Sequence, residues 1–193
     1  MFLSQIHAQH VVIKPYNIGD RVPAFPLTHL INSEKDSTSI SSFGNKLIIL
    51  DFWGTHCSSC IQALPEENDL QSEFKDQVQF IMVTPDDKEN VSSFLERYDK
   101  KNQKLSIPIV TSDILIQQMF AHIFLPHYVW LGPDGLLMAQ TTASMVSREV
   151  IQTALAEIQK RKDHLDERHF SEKYFQFPEP NAAQKQYFQQ YKY

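Results

Sequence analysis

The chain has 193 residues, of which 42% are apolar and 21% charged, a composition typical of a globular protein with one ordinary domain and room for a tail. A net charge of −5 excludes the basic footprint of a nucleic-acid-binding protein. No apolar run reaches about 18 residues, so we expect membrane contact only through an anchor that this sequence lacks.

The first 18 residues are predicted to precede the folded domain. Ile6-His7-Ala8-Gln9 resembles the tail of a bacterial signal sequence, with the small Ala8 near a cleavage point. The stretch before it is too short for a full signal peptide and has no positively charged start. We therefore interpret residues 1–18 as an N-terminal segment that carries a signal-peptide remnant.

Hydrophobic periodicity and turn residues predict alternating strands and helices, which is the pattern of an α/β protein with a mixed sheet between helices. In chain order, the first predicted elements are a lead-in hairpin from Val22 to Ile31 with the region after Ser37, a central strand Leu47–Phe52, a helix from Ser58 to about Lys75, a parallel strand Val78–Thr84 and a helix Lys88–Lys100. Ile107–Val110 follows as a strand, which we place at the edge of the sheet because it contains Pro108. The last elements are a helix from Asp113 to about Ile123, a hairpin of Tyr128–Leu131 with Leu136–Thr142, and a final helix capped by Ser147.

The two cysteines, Cys57 and Cys60, lie three positions apart where the central strand gives way to a helix. This arrangement is typical of thiol–disulfide exchange, because the free N–H groups and the dipole of a helix N-terminus stabilise a thiolate. We predict that Cys57 is the nucleophile, with a pKa lowered to about 7 or below. Cys60, one turn further and less exposed, is the predicted resolving thiol, which closes the disulfide and releases the reduced client.

Metal binding by the same cysteines is disfavoured. A structural zinc site usually has four ligands, and the sequence offers no second C-x-x-C or H-x3-H partner. A c-type haem site requires histidine directly after Cys60, where Ile61 stands. We therefore predict no metal and no cofactor.

Three segments around the cysteine pair carry a family pattern. Residues 19–27 read as G-x-x-x-P-x-F-x-L, Ser41–Lys46 forms the loop before the central strand, and Trp53-Gly54-Thr55 precedes the pair. From about Gly19 to about Lys160 the chain resembles the thioredoxin superfamily, and within it the TlpA/ResA-like exported thiol–disulfide oxidoreductases. The resemblance implies a thioredoxin-like domain over residues 19–160, and it identifies Pro65 with the proline that kinks the active-site helix.

The resemblance also implies a proton acceptor. Asp51 stands where thioredoxin has a buried aspartate, so it is predicted to take the proton of Cys60; the alternative is a strand-end side chain that reaches water or a backbone amide. TlpA/ResA-like proteins often have a glutamate three residues after the second cysteine. Here that position holds Ala63, so that role does not carry over. His56 replaces the usual tryptophan before Cys57 and either favours its thiolate when protonated or is a neutral rim group.

Trp53, His56, Leu125 and Pro126 are the predicted substrate-binding residues. The segment from Phe124 to His127 resembles the family's cis-proline loop, with Pro126 as the cis residue and the backbone of Leu125 pairing with the client chain. His127 either borders the site or satisfies a strand-edge amide.

The family implies an enzyme that is exported to the periplasm or cell envelope of a bacterium and reduces protein disulfides. Its expected partners are a disulfide-containing client and an upstream thiol electron donor; the oligomeric state is not indicated. Two alternatives stay open: a thioredoxin-like binding or metallochaperone module without turnover, and a peroxiredoxin-like peroxidase. The latter fits poorly, since its sites have T-x-x-C after an upstream proline, whereas Thr84-Pro85 lies downstream.

Residues 161–193 depart from the family pattern, being charged first and then aromatic. One interpretation is a helical extension that packs its rings on the domain, and the other is a docking surface or the start of a second domain. The rings concerned are Phe170, Tyr174, Phe175, Phe177, Tyr187, Phe188, Tyr191 and Tyr193.

Overall fold

A computed structural model describes residues 14–167 and 175–191 of the chain. The signal-like residues Ile6–Gln9 lie outside these ranges, as do Phe170, Tyr174 and Tyr193 of the aromatic extension. Within the two ranges, no helix combines the length and the apolar character that crossing a bilayer requires.

The described residues form eight strands and five α-helices. The strands are β1 Pro26–Leu27, β2 Leu30–Ile31, β3 Thr38–Ser39, β4 Leu47–Phe52, β5 Val78–Val83, β6 Ile109–Val110, β7 His127–Leu131 and β8 Leu137–Thr141. The helices are α1 Ser58–Glu73, α2 Lys88–Asp99, α3 Leu115–Met119, α4 Arg148–Glu167 and α5 Ala182–Gln189, and 3-10 turns occur at Ile40–Phe43 and Ala143–Met145.

A six-stranded mixed sheet in the order β2-β6-β5-β4-β7-β8 forms the centre of the molecule. β4 pairs in parallel with β5 and antiparallel with β7. All six residues of β4 are buried, because helices cover both faces of the sheet. The predicted thioredoxin-like layout with a mixed central sheet is therefore confirmed.

The two faces of the sheet carry separate hydrophobic cores. Leu47 and Ile49 of β4 pack with buried residues of α1, α2 and α4. Ile48, Leu50 and Phe52 pack on the opposite side with α3, α5 and the N-terminal segment. Because side chains alternate along a strand, Asp51 belongs to the face that α1 covers.

The lead-in region divides between two sheets. β1 and β3 form a separate antiparallel pair, which agrees with the predicted hairpin. β2, between them in sequence, instead joins the main sheet beside β6. The prediction that the strand after Pro108 lies at the edge is therefore wrong. Pro108 precedes the paired residues and its carbonyl accepts from Met82, so its missing N–H does not prevent β6 from having neighbours on both sides.

The helix after Asp113 is shorter than expected. Asp113 does accept hydrogen bonds from the N–H groups of Ile116 and Gln117, as a capping residue does. The helix ends at Met119 rather than Ile123. Phe120 follows in extended backbone and is fully buried against the rings of Phe25 and Phe52, so the chain leaves the helix where this side chain enters the core.

The described part of the C-terminal extension packs on the domain. Phe175 joins the core on the α1 face, and Phe177, Tyr187 and Phe188 join the core on the other face. The N–H of Ala24 donates to the carbonyl of Pro178 at 2.8 Å, which ties the extension to the lead-in segment. α4 continues past Lys160, so no break in structure marks the predicted boundary between domain and extension.

A buried ion cluster fixes the turn between β7 and β8. Asp134 in this turn is fully buried and pairs with the guanidinium groups of Arg21 and Arg161. The guanidinium of Arg161 lies 5.8 Å from the ring centre of Phe175. Asp134 therefore links the turn to α4 through Arg161, and Arg161 in turn contacts Phe175 of the C-terminal segment.

Candidate active site

Cys57 and Cys60 form a disulfide at the start of α1. Cys57 is the N-cap residue and partly exposed, whereas Cys60 lies inside the helix with 1% of its surface exposed. This difference agrees with the sequence prediction that Cys57 meets the client and Cys60 resolves. α1 runs without a break through Pro65, so this proline lies inside the active-site helix, as the family pattern implies.

The helix N-terminus directs polar groups at the Cys57 sulfur. The N–H of Cys60 donates to Cys57 Sγ at 3.2 Å, and the Ser59 hydroxyl lies 3.4 Å from it. The first turn of α1 contains no acidic residue that would oppose a negative charge. Polar groups and a helix N-terminus arranged in this way favour the thiolate form of a cysteine over the thiol.

The loop before Cys57 is held by an aspartate from the loop after β5. The Asp86 carboxylate accepts from both the N–H and the hydroxyl of Thr55, each at 2.8 Å. Since that hydroxyl donates its single proton to Asp86, it accepts from Nδ1 of His56, 3.0 Å away. His56 is exposed beside Cys57, and its Nδ1 is held by the hydroxyl of Thr55.

Trp53 does not lie where a substrate-binding residue should. Its side chain is fully buried, and its ring packs 5.3 Å from that of Phe94 in the core under α1 and α2. The prediction that Trp53 contacts the client is therefore wrong for this conformation. Trp53 is buried because β4 ends beneath α1 and α2. The local sequence, in which Trp53 precedes an exposed loop, does not reveal this packing.

Asp51 is buried within β4 and has no hydrogen-bond partner for either carboxylate oxygen among the described residues. This excludes the alternative of a strand-end side chain in contact with water or a backbone amide. Burial raises the pKa of Asp51 well above its ordinary value, and the nearby charge of Glu67 raises it further.

Glu67 of α1 is a second buried acid at this site, and the sequence analysis did not identify it. One of its oxygens accepts a hydrogen bond from the hydroxyl of Tyr128, and the other has no partner among the described residues. Burial raises the pKa of Glu67 to about 7, although the Tyr128 hydrogen bond opposes the rise. The available signal was its spacing: Glu67 lies seven residues after Cys60, on the same helix face.

The peptide bond between Leu125 and Pro126 is cis, as predicted. The loop before it exposes three apolar side chains, Ile123, Phe124 and Leu125, which are 94%, 56% and 38% exposed. A methyl group built on Gly54 would lie 3.9 Å from Leu125 Cδ1, so this loop adjoins the segment that leads to Cys57.

Two histidines flank this loop in sequence and stack on each other. The rings of His122 and His127 stack with centres 5.0 Å apart, and His122 also packs 4.5 Å from Phe52. Nε2 of His127 lies 3.0 Å from the side-chain oxygen of Gln140 on β8. Burial lowers the pKa of His127. His127 therefore bonds a neighbouring side chain rather than a strand-edge amide.

The described residues contain no group of three or more histidine, cysteine, aspartate or glutamate side chains arranged to hold a metal ion. The site that the structure assembles consists of a dithiol at a helix N-terminus, two buried carboxyls beneath it, and an apolar loop beside it. These groups are suited to thiol–disulfide exchange coupled to proton transfer.

Comparison with known proteins places this site in a family. The Redoxin family model matches residues 17–153. The thiol-disulfide oxidoreductase ResA of Halalkalibacterium halodurans is 34% identical over 135 residues, or 68% of this chain and 72% of that protein. ResA of Oceanobacillus iheyensis is 34% identical over 45% of this chain and 46% of its own length, so against several curated relatives the match spans about half their length.

Solved structures agree on the fold. The thioredoxin domain of a thiol-disulfide oxidoreductase from Bacteroides vulgatus has a TM-score of 0.56 at 19% identity, covering 74% of this chain and 99% of that one. A reduced 2-Cys peroxiredoxin from Plasmodium vivax scores 0.58 at 15% identity, covering 77% of this chain and 98% of that one. The fold is thus common to exchange enzymes and peroxidases, and on the strength of the family match the chain belongs to the Redoxin family.

Proposed function

We propose that the protein is a thiol–disulfide oxidoreductase that reduces disulfides of client proteins with the Cys57–Cys60 dithiol. The observation that carries this proposal is the position of Cys57 Sγ at the N-terminus of α1, bonded to the buried Cys60. The peroxidase alternative is disfavoured because the chain has no T-x-x-C motif at Cys57, which instead has a C-x-x-C partner in Cys60.

The reaction begins with the reduced protein. The Cys57 thiolate attacks one sulfur of the client disulfide, so a Cys57–client disulfide forms and the other client sulfur leaves as a thiolate. The Cys60 thiol then loses its proton and attacks Cys57. The Cys57–Cys60 disulfide forms, the second client sulfur leaves, and the client has gained the two electrons of the dithiol.

We propose Asp51 as the group that receives the Cys60 proton. It lies on the sheet face that α1 covers, and it belongs to the hydrophobic environment in which Cys60 is buried. Its raised pKa makes its carboxylate a stronger base than an exposed aspartate, which suits proton abstraction from a thiol.

The client is proposed to bind along the loop before Pro126. The side chain of Leu125 adjoins the Gly54 segment, and an extended client chain can pair with the backbone of Leu125 as an added strand. The exposed side chains of Ile123 and Phe124 favour a client with apolar residues next to its cysteine. His56 lies at the rim of the same surface.

The setting is proposed from the relatives. Curated relatives of this chain are named ResA, and the sequence resembles TlpA/ResA-like exported proteins, so we place the enzyme in the periplasm or cell envelope of a bacterium. An upstream dithiol donor would return it to the reduced form. We propose residues 19–160 as the catalytic domain, with the described part of the following extension packed on it.

The test is the reduction of insulin by the reduced protein. Cys57→Ser should abolish it, and Cys60→Ser should retain the first attack and accumulate a mixed disulfide detectable by mass spectrometry. A redox titration against glutathione decides the direction, since a potential in the strongly oxidising range would exclude a reductase. Undiminished insulin reduction by Cys57→Ser would overturn the assignment, and no reduction by the wild type would favour a binding or metallochaperone module.

A further inference from the structure

The resolving step leaves a proton inside the protein, and the structure shows where it can leave. Asp51, the proposed acceptor, is 1% exposed and has no hydrogen-bond partner among the described residues. A proton that reaches Asp51 therefore has no direct exit to water. Another group must exchange it before the next turnover.

Glu67 is placed to do so. β4 and β7 pair with Asp51 directly opposite Tyr128, and the Tyr128 hydroxyl donates to Glu67 on α1. Asp51 and Glu67 lie close enough for each carboxyl to affect the ionisation of the other. Three side chains from three elements thus form one buried acidic cluster, which we call the Asp51–Glu67–Tyr128 cluster.

Glu67 is as buried as Asp51, each being 1% exposed, but it borders a cleft that opens to solvent. A cleft of about 320 Å³ lies between α1 and the turn after β8. Glu67 and Tyr128 line it, and Asp51 does not. The polar groups of Ser59, Glu66 and Ser144 are also among its walls, so water can enter it.

Two carboxyls buried together resist carrying two negative charges, so they hold one shared proton over a range of pH. Glu66 of α1 also raises the pKa of Glu67, and Glu67 in turn raises the pKa of Tyr98 of α2. Both are neutral or negative, and neither helps the cluster to carry a second charge. Such a pair can accept one proton and pass it on near neutral pH.

We propose that Glu67 is a positioning residue that exchanges the proton of Asp51 with water in this cleft during resolution. The inference rests on the proposed function and deepens it. The Cys60 S–H proton moves to the Asp51 carboxylate, and the Cys60 thiolate displaces the client sulfur from Cys57. Glu67, which holds the shared proton at that point, releases it to water, and the proton of Asp51 then moves to the Glu67 carboxylate. The client thiolate takes a proton from solvent.

The test separates the two chemical steps with an aromatic disulfide, 5,5′-dithiobis(2-nitrobenzoate). Attack by Cys57 releases one coloured thiolate, and resolution by Cys60 releases the second, so stopped-flow absorbance gives both rates between pH 5 and 9. In Cys60→Ser the second phase should be absent, which identifies it as resolution.

We expect Glu67→Gln to slow the second phase about tenfold at pH 7 and leave the first phase unchanged. The pH at which the rate of the second phase inflects should be lower than in the wild type, because loss of the Glu67 charge lowers the pKa of Asp51. Tyr128→Phe should move the inflection up, because the lost hydrogen bond no longer lowers the pKa of Glu67. Loosened packing would not produce shifts in opposite directions.

Asp69→Asn is the matched control, since it removes an exposed acid of α1 that does not line the cleft. Its two phases should match the wild type. An unchanged inflection in both Glu67→Gln and Tyr128→Phe would overturn the role of Glu67, even with resolution slowed at every pH. Absence of a second phase in the wild type would instead overturn the proposed function.

Discussion

Replacing Glu67 with glutamine should make the oxidised protein more stable at alkaline pH. Glu67 is buried, and its pKa rises from 4.5 to about 7 on folding. The folded protein therefore retains a proton that the unfolded chain has already released over this range. The free energy of unfolding of the wild type therefore falls as the pH rises from about 4.5, and this loss is complete above about 7. Glutamine does not ionise, so the variant shows no such loss.

The size of the effect follows from the shift. One pKa unit corresponds to about 1.4 kcal/mol, so Glu67 should lower the free energy of unfolding by about 3 kcal/mol at pH 8. Glutamine keeps an oxygen that accepts the Tyr128 hydrogen bond, so little else changes. The charge of Glu67 also raises the pKa of Asp51. Removing that charge lowers the pKa of Asp51, which likewise increases the stability of the variant at alkaline pH.

Urea unfolding of the disulfide-bonded protein at pH 4 and pH 8, followed by tryptophan fluorescence, measures the difference. Glu67→Gln should match the wild type at pH 4 and exceed it at pH 8. Asp69→Asn, an exposed change on the same helix, should show no such pH dependence. If the difference between Glu67→Gln and wild type were the same at both pH values, the reasoning about buried charge would be refuted.

Three further predictions concern the fold and are measured as free energies of urea unfolding. Gly135→Ala should cost about 3 kcal/mol, because Gly135 has a φ of 74° and an added Cβ would lie 2.4 Å from the Val22 carbonyl oxygen. Asp134→Ala should cost about 2–3 kcal/mol, since Arg161 loses its buried anion. Phe188→Ala should cost about 3–5 kcal/mol if the extension is part of the core, and a loss below about 0.5 kcal/mol would contradict that packing.

Local patterns were informative where local physics decides the structure. The run Leu47–Phe52 is apolar apart from Asp51 because both faces of the strand are covered, and its bounds agree with the structure. The C-x-x-C pair follows it directly, so the chain itself places Cys57 at the helix N-terminus. The cis bond at Pro126 came from the family pattern, since isolated X-Pro bonds are mostly trans.

Errors arose where distant segments meet. Pro108 indicated an edge strand, but Leu30–Ile31 covers that edge from nearly eighty positions away in the chain. Trp53 stands beside the exposed loop in sequence, and only the packing of Phe94 against it shows that it is buried. In both cases a residue's neighbours in space, rather than in sequence, decide its exposure.

By itself, the sequence determined the fold class and the reactive dithiol, because a helix N-terminus and a two-residue spacing are local properties of the backbone. The tertiary structure alone decided which acids accompany the dithiol. Asp51, Glu67 and Tyr128 come from β4, α1 and β7, and they become one electrostatic unit only when sheet pairing and helix packing remove them together from water. Burial and mutual charge, which set the ionisation of such groups, depend on distances through space that no linear pattern contains.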